Sequence, residues 1–370
     1  MTRYMPRPAL QELLDIFARR GYRCVGPQER DGAITYDTLG SVADLPKGVR
    51  DSQQPGQYRL SHGGDARLFA WANGPQALKP LLFAPAEPLW RAAKTDRGFT
   101  VETVLPETRP LAVIGVRACD LAALAIQDQI FLRGEHPDPY YAARRESLFL
   151  VAVNCTHPAA TCFCVSTGDG PHAIAGFDLA LTELEDGFTV EMGSRAGEQV
   201  LAELDLPPAA ASRIEAANAA VRQAAACQVR TLPGRNLRDA LFSNLHHARW
   251  DDVAARCLSC ANCTLVCPTC FCHAEGDEPA LDGGESVHQR QWDSCFSERH
   301  AYIHGFQVRP EIRHRYRQWL THKLGSWHDQ FGRSGCVGCG RCLAWCPAQI
   351  DLTEEAWAIC AGSGDLEENN

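Results

Sequence analysis

The stretch Cys336-Val-Gly-Cys339-Gly-Arg-Cys342-Leu-Ala-Trp-Cys346-Pro347 contains four cysteines, separated by two, two and three residues and followed by proline. This is the spacing of a bacterial-type iron–sulfur ligand run. A copy with the same spacing, Cys257-Leu-Ser-Cys260-Ala-Asn-Cys263-Thr-Leu-Val-Cys267-Pro268, occurs earlier in the chain. The duplication predicts a domain that holds two [4Fe-4S] clusters.

The last cysteine of each run is expected to bind the cluster of the other run, as it does in two-cluster ferredoxins. Gly338 and Gly340 are expected to let the backbone approach the inorganic sulfides of the cluster. We therefore predict two ligand sets. The first ligand set is Cys257, Cys260, Cys263 and Cys346, and the second ligand set is Cys336, Cys339, Cys342 and Cys267.

A zinc-stabilised scaffold is the alternative explanation for these cysteines, because zinc also binds four thiolates. Zinc sites usually come from two separated Cys-x2-Cys knuckles rather than from a triple followed by Cys-Pro. The spacing therefore favours iron. A colourless protein without broad visible absorption would indicate zinc.

Composition excludes several classes of function. The 370 residues suffice for two or three domains with buried cores. A net charge of −9 argues against a nucleic-acid partner, which requires a concentrated basic surface. The chain has 18 cysteines, with groups of them in metal-ligand spacing, and residues 1–24 lack the apolar core of a signal peptide. Both features predict the reducing cytoplasm. No apolar run approaches the roughly 18 residues of a membrane span.

A βαβ unit is predicted in the first half of the chain. Leu111-Ala-Val-Ile-Gly-Val116 and Ser147-Leu-Phe-Leu-Val-Ala-Val153 are short apolar runs typical of buried parallel strands, and residues 121–132 between them have a helical pattern. Asp120 precedes this helical pattern and is expected to cap the helix. Residues 44–56 are predicted to form a loop.

The chain is predicted to contain two domains, divided near Pro233-Gly234. A helix over residues 236–256 is expected to lead into the first cysteine run. The predicted parts are an α/β domain with a partly parallel sheet over residues 1–232, an α+β dicluster ferredoxin-like domain over 233–361 with a helical insertion over 273–335, and a disordered tail over 362–370.

Four further cysteines are expected to meet at one edge of the predicted sheet. Cys119 and Cys155 each follow the carboxyl end of a strand, where ligands gather in open parallel sheets, and Cys162 and Cys164 follow in a loop. Two interpretations stay open. The four thiols hold a third [4Fe-4S] cluster, or they are small core residues and loop thiols without a metal.

The segment between Cys267 and Cys336 contains three more cysteines, Cys270, Cys272 and Cys295. Three thiols are one short of a full ligand set, so these residues are expected to pack around the ferredoxin core. A basic run with Arg309, Arg313, Arg315, Arg317 and Lys323 predicts a solvated helix face, or a surface that seats an acidic partner near the clusters.

Several separated motifs together resemble the electron-transfer β subunit of sulfhydrogenase-type, NAD(P)-linked [NiFe] hydrogenases, and are similar to the A subunit of anaerobic sulfite reductase. The resemblance extends over about residues 80–351. The motifs are Gly115-Val-Arg-Ala-Cys-Asp120, Thr161-Cys-Phe-Cys164, Cys267-Pro-Thr-Cys-Phe-Cys272, Trp292-Asp-Ser-Cys295 and Gly335-Cys-Val-Gly-Cys-Gly-Arg-Cys342.

This resemblance implies a hetero-oligomer in which the chain is a non-catalytic electron-transfer subunit. Its partners would be a flavoprotein subunit with FAD and NAD(P) sites and the small and large subunits of a [NiFe] hydrogenase. The absence of a glycine-rich dinucleotide motif after a strand agrees with FAD and NAD(P) lying on another chain. The alternatives are the same role in anaerobic sulfite reductase and a free-standing flavin-dependent reductase.

Overall fold

The computed structural model describes residues 2–106 and 108–360. The predicted disordered tail lies outside the described residues. The strands are β1 (Arg3–Pro6), β2 (Arg23–Arg30), β3 (Ala33–Thr38), β4 (Val49–Gln54), β5 (Gln57–His62), β6 (Ala86–Thr95), β7 (Gly98–Thr103), β8 (Leu111–Val116), β9 (Leu148–Val153), β10 (Leu179–Glu183), β11 (Gly187–Met192), β12 (His273–Pro279), β13 (Glu285–Trp292), β14 (Tyr302–Ile303) and β15 (Phe306–Gln307).

The α-helices alternate with strands in the first half of the chain and dominate its last third. They are α1 (Ala9–Arg19), α2 (Lys79–Leu82), α3 (Ala118–Leu132), α4 (Pro139–Glu146), α5 (Cys164–Thr167), α6 (Arg195–Leu204), α7 (Ala211–Ala226), α8 (Arg238–Ser243), α9 (Arg249–Arg256), α10 (Asn262–Leu265), α11 (Ile312–Thr321), α12 (Trp327–Phe331), α13 (Arg341–Ala344) and α14 (Leu352–Cys360).

The N-terminal region is built on a seven-stranded mixed sheet with the order β1-β11-β10-β9-β8-β2-β3. Its central strands β10, β9, β8 and β2 pair in parallel, and the outer pairs are antiparallel. Every residue of β8 is buried, since helices cover both faces of the sheet. The predicted partly parallel sheet is therefore confirmed.

Helices on the two faces of this sheet form two separate cores. On one face, α1 and α6 pack against β9, β10 and β11, because α1 presents Leu10, Leu13 and Phe17 as one apolar stripe. On the other face, α2, α3 and α4 pack against β8 and β9. The cysteine-bearing ends of β8 and β9 thus lie at the rim of a rigid three-layer structure.

The predicted loop at residues 44–56 is wrong, because β4 and β5 form an antiparallel hairpin there that turns at Pro55-Gly56. The hairpin contacts the second cysteine run directly. Gly56 donates its N–H to Leu343 O at 2.9 Å, and Tyr58 stacks on Trp345 with 5.2 Å between ring centroids. This hairpin therefore ties the N-terminal region to the ferredoxin-like part.

The C-terminal region has its own core, in which α8, α9, α11 and α14 surround the cysteine runs. The predicted continuous helix over residues 236–256 is wrong, because it is divided into α8 and α9. The Trp250 indole donates a hydrogen bond to Asn244 O at 2.8 Å, which occupies a carbonyl that a continuous helix would use for its backbone ladder.

The insertion is a mixture of strands and helices. It opens with the hairpin β12–β13 and ends with α11, a π-helical turn over His322–Ser326, and α12. The prediction of a helical insertion is thus not confirmed. The hairpin joins β6 and β7 in a four-stranded antiparallel sheet with the order β12-β13-β6-β7.

The predicted division at residues 232/233 stays a prediction. The four-stranded sheet joins strands from both sides of this position. Within residues 2–106 and 108–360, no helix is both long enough and apolar enough to cross a membrane.

Candidate metal centres

The residues predicted as the first ligand set line one small cavity in the C-terminal region. Cys257, Cys260, Cys263 and Cys346 contribute to its wall, and Cys342 reaches it from the second run. Apart from Asn262, the rest of the wall is apolar and aromatic and includes Phe296, Tyr316 and Trp319. Three cysteines of one run and the last cysteine of the other therefore share one enclosed space.

The chemistry of this cavity suits a cationic iron core. Burial raises the pKa of the Cys263 thiol well above its usual value, and the neighbouring thiols of Cys257, Cys346 and Cys260 raise it further. Crowded thiolates in an apolar space require a cation, since unpaired buried charge is costly. A bound metal removes this conflict because it deprotonates its thiol ligands outright.

The residues predicted as the second ligand set are also near neighbours. Cys267 lies close enough for its charge to raise the pKa of Cys336, Cys339 and Cys342, although burial is the larger cause at each of these thiols. The last cysteine of the first run is thus near the cysteines of the second run. The donor set of four thiols again fits an iron–sulfur cluster.

The two cysteine loops have the same local backbone shape. Ser259 donates its N–H to Cys257 Sγ at 3.4 Å, and Gly338 makes the equivalent bond to Cys336 Sγ at 3.4 Å. Ser259 and Ala261 in the first loop have φ values of 51° and 68°, and their counterparts Gly338 and Gly340 have 62° and 73°. Left-handed residues at both positions let backbone N–H groups point toward ligand sulfurs.

Gly338 and Gly340 have a further role that sequence analysis missed. A Cβ on Gly338 would lie 2.5 Å from the backbone N of Cys164, and one on Gly340 would lie 2.4 Å from Thr161 O. Phe163 donates its N–H to Gly338 O at 2.8 Å. The Thr161–Cys164 motif therefore packs against the second cysteine loop, and glycine is required there because two backbones touch.

A buried lysine contacts the second ligand set directly. Lys323 Nζ lies 3.3 Å from Cys267 Sγ, 3.0 Å from Thr269 Oγ1 and 3.3 Å from Gly335 O. Although burial alone would lower it, the sulfurs of Cys267 and Cys270 raise the pKa of Lys323 well above its usual value. The prediction of a solvated basic face is wrong for Lys323 and for Arg315, which are both buried.

A buried ion pair lies on the other side of the second cysteine run. Arg341 donates to both carboxylate oxygens of Asp120, at 2.8 and 3.1 Å, and each side chain is only 1% exposed. The predicted cap role of Asp120 is wrong, since the N-cap of α3 is Arg117 and makes no side-chain cap bond. Asp120 instead joins α3 to the second cysteine loop.

The four cysteines of the candidate third cluster gather in one buried region. Cys119 and Cys164 pack together with Cys339 of the second run. The charges of Cys155 and Cys164 both act on Cys162, whose pKa is raised well above its usual value chiefly by burial. Asn73 donates to Cys119 Sγ at 3.1 Å and Gln228 to Cys164 Sγ at 3.2 Å. The third cluster stays a prediction.

The three cysteines Cys270, Cys272 and Cys295 lie beside other thiols. Cys270 and Cys267 are close enough for each to shift the pKa of the other, and so are Cys295 and Cys272. In the described part of the chain, no group of three or more His, Cys, Asp or Glu side chains is arranged to hold a single metal ion. A cluster differs from such a site, because its ligands surround four irons rather than one.

Comparisons with known proteins give the family of the chain. Residues 256–350 match the family described as 4Fe-4S dicluster domain. The sulfhydrogenase 2 subunit beta of Pyrococcus furiosus is 34% identical over 242 residues, which are 65% of this chain and 71% of that protein. The chain belongs to the sulfhydrogenase β-subunit family. No solved structure matches it.

Membership in the sulfhydrogenase β-subunit family confirms part of what the sequence predicts. The C-terminal region is a 4Fe-4S dicluster domain, and the chain has an iron–sulfur electron-transfer role related to hydrogenases. The sequence pattern that predicted this role is the spacing of the two cysteine runs. By contrast, no sequence pattern predicted the contact of Lys323 with Cys267 or that of Asp120 with Arg341, because each joins positions far apart in the chain.

Proposed function

We propose that this chain is the subunit that carries electrons between an FAD- and NAD(P)-binding flavoprotein subunit and a [NiFe] hydrogenase in a cytoplasmic hetero-oligomer. The observation that supports the proposal is that the last cysteine of each run lies near cysteines of the other run. Cys346 lines a cavity with Cys257, Cys260 and Cys263, and Cys267 lies near Cys336, Cys339 and Cys342. The family membership supports the same function, since the relative is one subunit of a sulfhydrogenase.

In this proposal the two ligand sets are those expected from the sequence. When bound, the [4Fe-4S] clusters supply one-electron transfer. The C-terminal region holds the first set in an apolar cavity, where Phe296, Tyr316 and Trp319 exclude water. It also keeps the positive charges of Lys323 and Arg341 beside the second set.

The test is to purify the chain with its native partners under strictly anaerobic conditions. We expect broad visible absorption, about eight irons per β subunit, and nickel in the complex. About twelve irons would support a third cluster at Cys119, Cys155, Cys162 and Cys164. Siroheme instead of nickel in the complex would indicate that the chain transfers electrons in a sulfite reductase. Flavin released from this chain alone would contradict the proposal that the chain only transfers electrons.

Lys323 is expected to raise the reduction potential of the cluster at the second ligand set. An ammonium group that donates to a ligand sulfur favours the more negative, reduced state. Lys323→Met should therefore lower one of the two potentials in an anaerobic redox titration followed by electron paramagnetic resonance. Lys94→Met, at an exposed position of β6, is the control and should shift neither potential. Unchanged potentials in Lys323→Met would contradict this role.

A further inference from the structure

The base of the β12–β13 hairpin brings together two cysteines, a histidine and an aspartate that the cluster sites do not use. Cys272 directly precedes β12 and Asp293 directly follows β13, and Asp293 donates its N–H to Cys272 O at 2.9 Å. Cys295 follows two residues later. His300 lies in the short 3-10 turn over Arg299–Ala301. Four chemically active side chains therefore lie close to the backbone hydrogen bond between Asp293 and Cys272.

These side chains form one cluster. His300 Nδ1 lies 3.2 Å from Asp293 Oδ2, and the imidazole is close enough to the Cys272 sulfur for each group to shift the pKa of the other. The Cys295 thiol is a neighbour of the same sulfur. The order Asp293, His300, Cys272, Cys295 is that of an activated nucleophile, in which an acid orients a base and the base contacts the thiol.

This arrangement stabilises the thiolate of Cys272. The neighbouring Cys295 thiol and the His300 imidazole lower the pKa of Cys272, against the opposing effect of burial. The sulfur of Cys272 is also the largest cause that raises the pKa of His300, and Asp293 adds to it. Thiolate and imidazolium therefore support each other.

The group is also within reach of small molecules. Cys272 and Cys295 are half-buried rather than enclosed, and the side chain of His300 is 26% exposed. Reactive cysteines are found in such electropositive and partly exposed surroundings, whereas buried structural cysteines are inert. The thiols of Cys24 and Cys360 are of the second kind, because both are buried and burial raises the pKa of each to about 11.

We propose that Cys272 and Cys295 are a thiol–disulfide exchange centre that reacts with small organic disulfides, with His300 as its proton carrier and Asp293 as the residue that positions His300. This function is additional to electron transfer and does not depend on the cluster assignment. It also accounts for the two cysteines at the base of the hairpin without a metal.

The reaction balances without a further reactant. The Cys272 thiolate attacks one sulfur of the disulfide, which forms a mixed disulfide and releases one thiolate that takes the proton of the His300 imidazolium. Cys295 then gives its proton to His300 and attacks the Cys272 sulfur. The Cys272–Cys295 disulfide forms, the second thiolate leaves with that proton, and the products are two small thiols and one protein disulfide.

The test is the reaction of the full-length, anaerobically prepared protein with dithiodipyridine, an aromatic disulfide whose released thiopyridone absorbs light. We expect a fast phase that releases about two thiopyridones per chain, and a Cys272–Cys295 disulfide in peptide mass spectrometry. Cys272→Ser should lose this phase. Cys295→Ser should release about one thiopyridone and retain the probe as a mixed disulfide. Cys227→Ser, at an exposed cysteine outside the group, is the matched control and should keep the fast phase.

His300→Gln separates a chemical role from a structural one. It should slow the fast phase by about tenfold or more while leaving iron content unchanged, because the thiolate loses its imidazolium partner. Asp293→Asn should slow it less. A fast phase that survives Cys272→Ser would overturn the proposal, and so would loss of iron or another metal in Cys272→Ser and Cys295→Ser. Failure of the electron-transfer proposal would appear separately, as wild-type protein without iron.

Discussion

Cys346→Ser is expected to remove about four irons per chain, although the other three cysteines of its own run stay in place. The reason is that Cys346 lines the same cavity as Cys257, Cys260 and Cys263 of the other run. The measurement is iron content together with visible absorption of anaerobically purified protein. Cys360→Ser, at a buried cysteine in α14, is the control and should keep the full iron content.

The identity of the surviving cluster tests the exchange of ligands between the two runs. In Cys346→Ser, the remaining cluster should be the one at Cys336, Cys339, Cys342 and Cys267. Its potential should still fall when Lys323→Met is added, because Lys323 contacts Cys267. If each run binds its own cluster, the survivor would be held by the first run alone. Cys267 would still be a ligand there, so this comparison is made together with the reciprocal variant Cys267→Ser.

Cys267→Ser should spare the cluster near Phe296, Tyr316 and Trp319 and remove the one beside Lys323. The potential of its surviving cluster should then be insensitive to Lys323→Met. If each run instead bound its own cluster, Cys267→Ser would leave the cluster of the second run. The pair of variants therefore distinguishes the two arrangements by which cluster is lost.

Asp120→Leu is expected to destabilise the protein by about 3–5 kcal/mol. The substitution leaves the Arg341 guanidinium buried and without its carboxylate partner, since both side chains are 1% exposed in the native pair. The measurement is the midpoint of anaerobic denaturant unfolding, followed by tryptophan fluorescence. The double variant Asp120→Leu with Arg341→Met should recover most of the loss, because no unpaired charge is then buried.

Asp329→Asn is the matched control for the buried pair. Asp329 also pairs with an arginine, Arg238, at 3.1 Å, but the two side chains are 54% and 44% exposed. Exposed pairs contribute roughly 0–1 kcal/mol. If Asp329→Asn and Asp120→Leu lowered the stability of the folded protein equally, the burial of Arg341 would not be the cause of the loss in Asp120→Leu.

The sequence predicted the parts of the fold that follow from local pattern. The apolar runs at β8 and β9 gave the parallel strands, because residues buried on both faces leave a continuous hydrophobic signal. The two cysteine runs predicted the dicluster domain, since their spacing is set by the cluster itself. Both features depend on residues that are close together in the chain.

The parts that the sequence did not predict depend on distant contacts. Strands β12 and β13 are rich in charged and polar residues, and they are strands because they pair with each other and β13 also pairs with β6. Lys323 belongs to a basic run whose other members give no sign that one of them is buried against Cys267. The position of Asp120 before a helical pattern was explained by a cap role, so there was no reason in the sequence to pair it with Arg341, more than 200 residues later.

The sheet β12-β13-β6-β7 limits how this protein can be divided. Cutting the gene near codon 233 would leave β6 and β7 in one fragment and β12 and β13 in the other, each with a row of backbone N–H and C=O groups that had been satisfied by the other piece. Such fragments would be prone to aggregate. A minimal ferredoxin module excised from this chain should therefore lack the β12–β13 hairpin as well. Exchange of the two halves among homologues should succeed only when the β6–β7 and β12–β13 hairpins come from the same parent.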